Sequence, residues 1–141
     1  MYKSILLIAL VSMAAAVDNW AVIAAGASGF FDYAAQSTTC RVYQLLRRKG
    51  IPADHIIHIA RDDVAYDEEN PVKGKLFAQK NGPDVYEGCV FDYPGDKTNV
   101  DTYYAVLTGD SDAVQGGKVL KSTKDSNVFL YHIGHGGPGV I

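Results

Sequence analysis

Hydrophobic positions in the first 60 residues of the 141-residue chain follow the order strand, helix, strand. Residues 20–25 are an unbroken apolar run that ends at Gly26, as in a strand buried on both faces of a sheet. One helical stripe follows, at Ala35, Thr39, Val42 and Leu46. Residues 55–60 form a second apolar run. This order predicts a right-handed crossover between parallel strands, and therefore an α/β fold.

The remainder of the chain predicts one long excursion, one helix and one strand. Residues 61–97 lose periodicity and are rich in charge, Gly and Pro, with a short hairpin expected near residues 74–79. Thr98 and Asp101 match a capping box at a helix start. The buried stripe of that helix is predicted at Val100, Tyr103, Tyr104 and Leu107. Residues 127–133 form a third apolar strand.

Composition and charge indicate one globular domain that enters the secretory route. The chain is 48% hydrophobic and 21% charged, and its net charge of -3 gives no footprint for nucleic acid. Residues 1–16 carry Lys3, an apolar stretch at 5–11 and small residues at 14–16, which predict a signal peptide cleaved near Ala16. Residues 17–141 then form the domain. An uncleaved anchor or an N-terminal strand is the alternative, although the apolar run is too short to span a membrane.

His135 is the candidate for chemistry, because it follows the third strand at the edge where working groups collect in open α/β sheets. Gly136 and Gly137 allow a tight turn and a close approach of backbone N–H to a ligand, as an oxyanion site requires. From this pattern alone, a catalytic role and a structural histidine in a Gly-rich turn both stay open.

Seven segments of the chain form a pattern in a fixed order and spacing: NWAVIAAGASGFFDY, CRVYQLLRRKGIPADHI, RDDVAYDEENPVKGKL, PDVYEGCVFDY, AVLTGD, GKVLKS and HGGPGV. In this order and spacing they resemble the legumains, asparaginyl endopeptidases of the caspase-like cysteine protease clan. The resemblance implies a mostly parallel caspase-like sheet flanked by helices, truncated here after the third core strand. It implies hydrolysis of peptide or protein substrates by a His/Cys dyad without a cofactor, with His135 as the histidine and Gly136 in the oxyanion site. The cysteine subunit of GPI transamidase shares the general pattern and is an alternative.

Four positions depart from the family pattern. Ser28 stands where the resemblance implies an asparagine that orients the catalytic histidine. Ala34 occupies the position of an arginine that lines the primary pocket, so cleavage after asparagine is not expected to carry over. His132 replaces an apolar residue and Gly134 an aspartate.

The nucleophile of the family belongs to an Ala-Cys pair after the next strand, outside these 141 residues. The chain alone is therefore expected to be inactive, as a fragment of a longer gene product. We expect Cys40 to be a buried core thiol and Cys89 a loop residue, with a disulfide between them as the minor alternative. The third strand would be an open sheet edge, so a pseudoenzyme or binding module that pairs this edge with a partner chain is the alternative function.

Other polar clusters predict no further site. His55 and His58 are three apart on a predicted strand and point to opposite faces, so no metal site is expected. The acidic residues between 62 and 69 are expected to form a solvated loop. By resemblance, the complete protein would work in an acidic lysosome-like or vacuolar compartment, or be secreted.

Overall fold

A computed structural model describes residues 18–139 and shows an α/β fold built on three parallel strands. The strands are β1 (Asp18–Ala25), β2 (Ile56–Ile59) and β3 (Ser126–Ile133), in the spatial order β2-β1-β3. The helices are α1 (Tyr33–Arg48) and α2 (Val100–Thr108). Strand β1 pairs with β3 over its whole length and with β2 over four residues. The predicted fold class and strand direction are confirmed.

The central strand β1 is buried on both faces, and its successive side chains point to opposite sides of the sheet. Ala21 and Ile23 pack with Tyr43 of α1. Val22 and Ala24 pack with Val106 of α2 on the other face. The two helices therefore lie on opposite sides of the sheet.

Helix α2 differs from the sequence prediction at its start and on its buried face. Asn99, rather than Thr98, is the N-cap, because its side-chain oxygen accepts a hydrogen bond of 2.8 Å from the Thr102 amide. The buried residues are Thr102, Ala105 and Val106. Val100 and Tyr104 are each 62% exposed, so half of the predicted apolar stripe is wrong. The buried face of this helix is therefore made of small side chains, and Tyr103 and Leu107 of the predicted stripe pack against the core while only partly buried.

The long excursion between β2 and α2 is fastened to α1 by a disulfide between Cys40 and Cys89. The expectation of a free core thiol at Cys40 is therefore wrong, although its side chain is fully buried as predicted. Cys40 packs with apolar residues of the excursion: Val64, Ala65, Leu76 and Val85. In place of the expected hairpin, the excursion carries one antiparallel bridge between Phe77 and Asp84. The sequence could not reveal the pairing because it does not give the separation of the two cysteines.

Strand β3 lies at one edge of the sheet within the described residues, as predicted. Its apolar side chains are partly open to solvent, with Leu130 53% exposed and Val128 and Phe129 somewhat less. Within residues 18–139, neither helix combines the length and the apolar character that a membrane crossing needs. The predicted signal peptide at residues 1–16 lies outside the described residues.

Candidate functional site

The carboxyl ends of β1 and β3 meet at one point of the sheet edge. Ala25 pairs with Ile133, and the Gly26 amide donates a hydrogen bond of 2.8 Å to the Ile133 carbonyl. His135 follows two residues after that carbonyl. The parallel register therefore brings the loop after β1 and the loop after β3 together, as expected for a site at this edge.

His135 forms a close polar contact with Asp32 across this edge. Its Nε2 lies 2.7 Å from the Oδ1 atom of Asp32. The imidazole is 76% exposed, whereas the carboxylate is only 22% exposed. The Asp32 carboxylate is thus mostly buried, whereas the His135 ring is mostly exposed to solvent.

The turn after β1 places Asp32 next to His135. Gly29 has a φ of 78°, a conformation that residues with a side chain rarely adopt, and it leads into a short 3-10 helix at Phe30–Asp32. The Asp32 amide donates to the Gly29 carbonyl at 3.1 Å and closes the turn. Helix α1 begins at the next residue. The carboxylate therefore belongs to the junction between the 3-10 helix and α1.

Residues after β2 hold this turn in place. Asp63 accepts hydrogen bonds from the Gly29 amide, at 3.0 Å, and from the buried Gln36 side chain. Asp62 accepts one from the Tyr86 hydroxyl at 2.9 Å. Burial raises the pKa of Asp62, and burial together with the nearby Asp62 raises the pKa of Tyr86 to about 12. The acidic pair expected to be a solvated loop instead links the excursion to the start of α1.

The contact with Asp32 selects one tautomer of the His135 ring. A carboxylate oxygen accepts hydrogen bonds, so Nε2 is the nitrogen that carries the proton in the neutral imidazole. Nδ1 is then the nitrogen with a lone pair. A histidine in this form can take a proton on Nδ1 while its orientation is kept by the carboxylate.

The other predicted site residues are not all brought to His135. Gly136 is exposed directly after it. Ser28 is exposed and lines a cleft on the α2 side of the sheet, and among the described residues no hydrogen bond joins it to His135. Ala34 is exposed on the first turn of α1, two residues after Asp32. The contact expected from Ser28 is made by Asp32, the last residue of the 3-10 helix that follows Gly29.

Asp32 is the site residue that sequence reasoning missed. It lies two residues before Ala34, within the segment NWAVIAAGASGFFDY that carries the resemblance, but no role was predicted for it. Its position at the start of a helix that follows a buried strand was the available signal. Such a residue lies at the same sheet edge as the residue that follows a neighbouring parallel strand.

The remaining histidines lie elsewhere. His58 is fully buried on β2, between the rings of Tyr43 and Phe91, and burial lowers its pKa to about 4. His55 belongs to a 3-10 helix at Ala53–His55 rather than to the strand, and its ring stacks on Trp20 at 4.1 Å. The described residues contain no group of three or more His, Cys, Asp or Glu side chains placed to hold a metal ion.

Comparison with known proteins identifies the family of this chain. The model of the peptidase C13 family matches residues 19–141. The chain is 48% identical over 124 residues to the hemoglobinase of Schistosoma mansoni, a match that covers 88% of the chain and 28% of that protein. It is 42% identical over 126 residues to human legumain, covering 87% of the chain and 29% of that protein. A vacuolar-processing enzyme of Citrus sinensis is 41% identical over 125 residues, covering 87% of the chain and 25% of that protein.

The matched part thus spans less than a third of the length of each of these relatives. It contains the three strands, both helices and the contact between Asp32 and His135. A family model that matches 123 consecutive residues of the 141, from 19 to 141, accounts for nearly the whole chain. The chain therefore belongs to the peptidase C13 family, the family of the legumains and hemoglobinases.

Proposed function

We propose that this chain is the N-terminal portion of a legumain-like cysteine endopeptidase, in which His135 acts on the nucleophile and Asp32 positions His135. The observation that carries the proposal is the 2.7 Å contact between these two side chains at the carboxyl edge of the sheet. A solvent-exposed imidazole held by a less exposed carboxylate is the arrangement that cysteine and serine hydrolases use to orient a general base.

The nucleophile in this mechanism is a cysteine thiol supplied from outside the 141 residues, since Cys40 and Cys89 are joined to each other. The thiol proton passes to Nδ1 of His135, and the sulfur bonds to the carbon of the scissile carbonyl. The Gly136 amide is the proposed donor to the oxyanion. As the C–N bond breaks, the imidazolium gives its proton to the leaving amine, and a water molecule then hydrolyses the thioester.

A chimeric enzyme tests this proposal. Residues 18–141 would replace the matched segment of the Schistosoma mansoni hemoglobinase, whose remaining sequence supplies the rest of the domain. We expect hydrolysis of a fluorogenic peptide, and we expect His135→Ala to abolish it. His55→Gln is the matched control, because His55 lies at the opposite end of the sheet. A folded chimera that keeps its activity after His135→Ala would contradict the proposal.

The family's preference for asparagine is the part of the function that is least expected to apply to this chain. An alanine side chain can neither donate nor accept a hydrogen bond, so Ala34 cannot hold the side-chain amide of a substrate asparagine. Ala34 is also exposed, so a longer side chain would be tolerated there. The complete enzyme is therefore proposed to cleave peptides without a strong requirement for asparagine.

We also propose a route through the secretory pathway to a lysosome-like or vacuolar compartment. The disulfide between Cys40 and Cys89 supports passage through an oxidising compartment. The name of the Citrus sinensis relative, vacuolar-processing enzyme, supports the destination. A fusion of residues 1–16 to a reporter would test the leader: secretion of the reporter is expected, and retention in the cytosol would exclude it.

The open edge at β3 favours a second candidate, a binding module. Val128 and Leu130 are partly exposed along a strand whose outer side has no neighbour among the described residues. Such an edge can pair with an additional strand. If the chain acts as a module, it should bind a partner that protects the β3 amides from hydrogen exchange. Unprotected β3 amides in the complex would exclude this candidate.

A further inference from the structure

A recess opens on the α2 side of the same sheet edge. This recess, which we call the rim cleft, has a volume of about 460 Å³ and lies between the end of β1, the start of α2 and His132 of β3. Its floor is apolar, with Ala24, Ala25 and Ile59, and its walls carry Ser28, Tyr103 and Arg61. A concave apolar floor with a few polar groups is typical of a ligand subsite.

The charged lining of the rim cleft is of one sign, which is positive. Arg61 lines it, and no acidic side chain does so among the described residues. The guanidinium contacts two carboxylates outside the lining: Asp96 at 3.1 Å and Asp63 at 3.8 Å. The Asp96 side chain is 99% exposed, so that ion pair is worth little and can give way to another carboxylate. A ligand carboxylate would meet a planar donor suited to two parallel hydrogen bonds.

His132, three residues before His135 on the chain, is the residue of β3 that lines the rim cleft. Its ring packs against Tyr103 of α2, with ring centroids 6.0 Å apart. A Cβ atom added to Gly26 would stand 3.1 Å from the His132 ring, so the absence of a side chain at Gly26 makes room for this imidazole. His132 stands where the family pattern has an apolar residue, and in the structure it packs between Tyr103 and Gly26.

Two glycines separate the rim cleft from His135. Gly26 and Gly134, which we call the glycine edge, lie so close that a Cβ atom on Gly134 would be 3.4 Å from the Gly26 Cα. His132 lies on the α2 side of the glycine edge, and His135 contacts Asp32 at the start of α1. With no side chain in the way, an extended peptide can cross the glycine edge and contact both histidines, since each of its residues spans about 3.3–3.6 Å.

We infer that the rim cleft is a substrate subsite that accepts an aspartate or glutamate side chain of the peptide whose scissile bond lies at His135. Arg61 binds the carboxylate, and His132 packs against the side chain and donates a hydrogen bond to a carboxylate oxygen. This inference rests on the proposed function, since it takes the peptide at His135 to be the substrate. It adds a specificity that the altered primary pocket at Ala34 does not supply.

The test measures binding to the 141-residue chain itself, so it does not require cleavage. Blocked hexapeptides that carry a Glu-to-Gln exchange at one position at a time are titrated, and the imidazole signals of His132 and His135 are followed by NMR. At one position, the Glu peptide is expected to bind on the order of tenfold more tightly than its Gln partner, as one added charge-assisted pair would give. Both histidine signals should shift with that peptide.

Variants separate the rim cleft from general attraction of an anion. Arg61→Gln should reduce the Glu-to-Gln ratio to about one, whereas Arg48→Gln, at an exposed position at the end of α1, should leave it unchanged. Gly26→Ala should weaken Glu binding because the new methyl group displaces the His132 ring. An unchanged ratio in Arg61→Gln, or no discrimination at any position, would overturn the inference.

Failure of the inference and failure of the proposed function give different results. A chimera that hydrolyses peptides while the chain shows no Glu preference would remove the subsite and leave the endopeptidase. A chain that shows the Glu preference while the chimera is inactive would leave a peptide-binding cleft and remove the proposed chemistry.

Discussion

The disulfide between Cys40 and Cys89 should supply a large share of the stability of this domain. It closes a loop of 49 residues and fastens the excursion to the middle of α1. In the chain-entropy model, a crosslink of this span reduces the freedom of the unfolded chain by the equivalent of about 4 kcal/mol at 25 °C. Typical domains have only about 5–15 kcal/mol of net stability, so the reduced protein should be marginal.

Equilibrium unfolding in urea, with and without a phosphine reductant, measures this contribution directly. We expect reduction to lower the free energy of unfolding by about 4 kcal/mol, which lowers the midpoint by about 2 M for a domain of this size. A double variant, Cys40→Ala with Cys89→Ala, is the control and should be insensitive to reductant.

A local readout shows what the crosslink holds in place. The Gly29 amide donates to Asp63 of the excursion, so reduction should speed its hydrogen exchange before the sheet opens. Identical midpoints for the oxidised and reduced chain would refute the reasoning, because the excursion would then be held by its packing alone.

Three further predictions concern single residues. His58 has its pKa lowered to about 4 by burial, against 6.5 ordinarily, so only the unfolded state gains its proton as the pH falls between these values. Stability should therefore fall by about 3 kcal/mol from pH 6.5 to 4, and His58→Phe should remove that slope in urea unfolding. Asn99→Ala should cost about 1 kcal/mol in thermal unfolding, since it removes the cap of α2, and an unchanged melting temperature would contradict the assignment. In the chimera, Ala34→Arg should raise kcat/KM for asparagine over alanine substrates, and an unchanged ratio would place Ala34 outside the pocket.

The fold could largely be predicted from periodicity because its central elements are unambiguous. Residues 20–25 are apolar throughout, which suits a strand covered on both faces, and the structure places β1 between β2 and β3. The stripe of α1 was also correct, with Ala35 and Thr39 buried. In α2 the prediction followed hydrophobicity, whereas the face that meets the sheet is made of smaller residues, and Tyr104 is left in the rim cleft.

The site was only half predictable, because its parts come from distant segments. His135 was identified from its position after a strand and from its glycines. The role of its partner Asp32 depends on the conformation of the turn at Gly29, and hydrophobic periodicity does not predict that conformation. The sequence likewise did not favour the disulfide over a free thiol at Cys40, because a separation of 49 residues along the chain does not give the distance between the two cysteines in space.

The central claim is that Asp32 positions His135 through their contact, and kcat of the chimera tests this claim most directly. Asp32→Ala should lower kcat by on the order of 10²-fold with little change in KM, because the ring loses its orientation and its tautomer. Asp32→Asn should recover most of the rate, since an amide oxygen can still accept the hydrogen bond from Nε2. Equal kcat values for Asp32, Asn and Ala at this position, in chimeras of equal stability, would contradict the central claim.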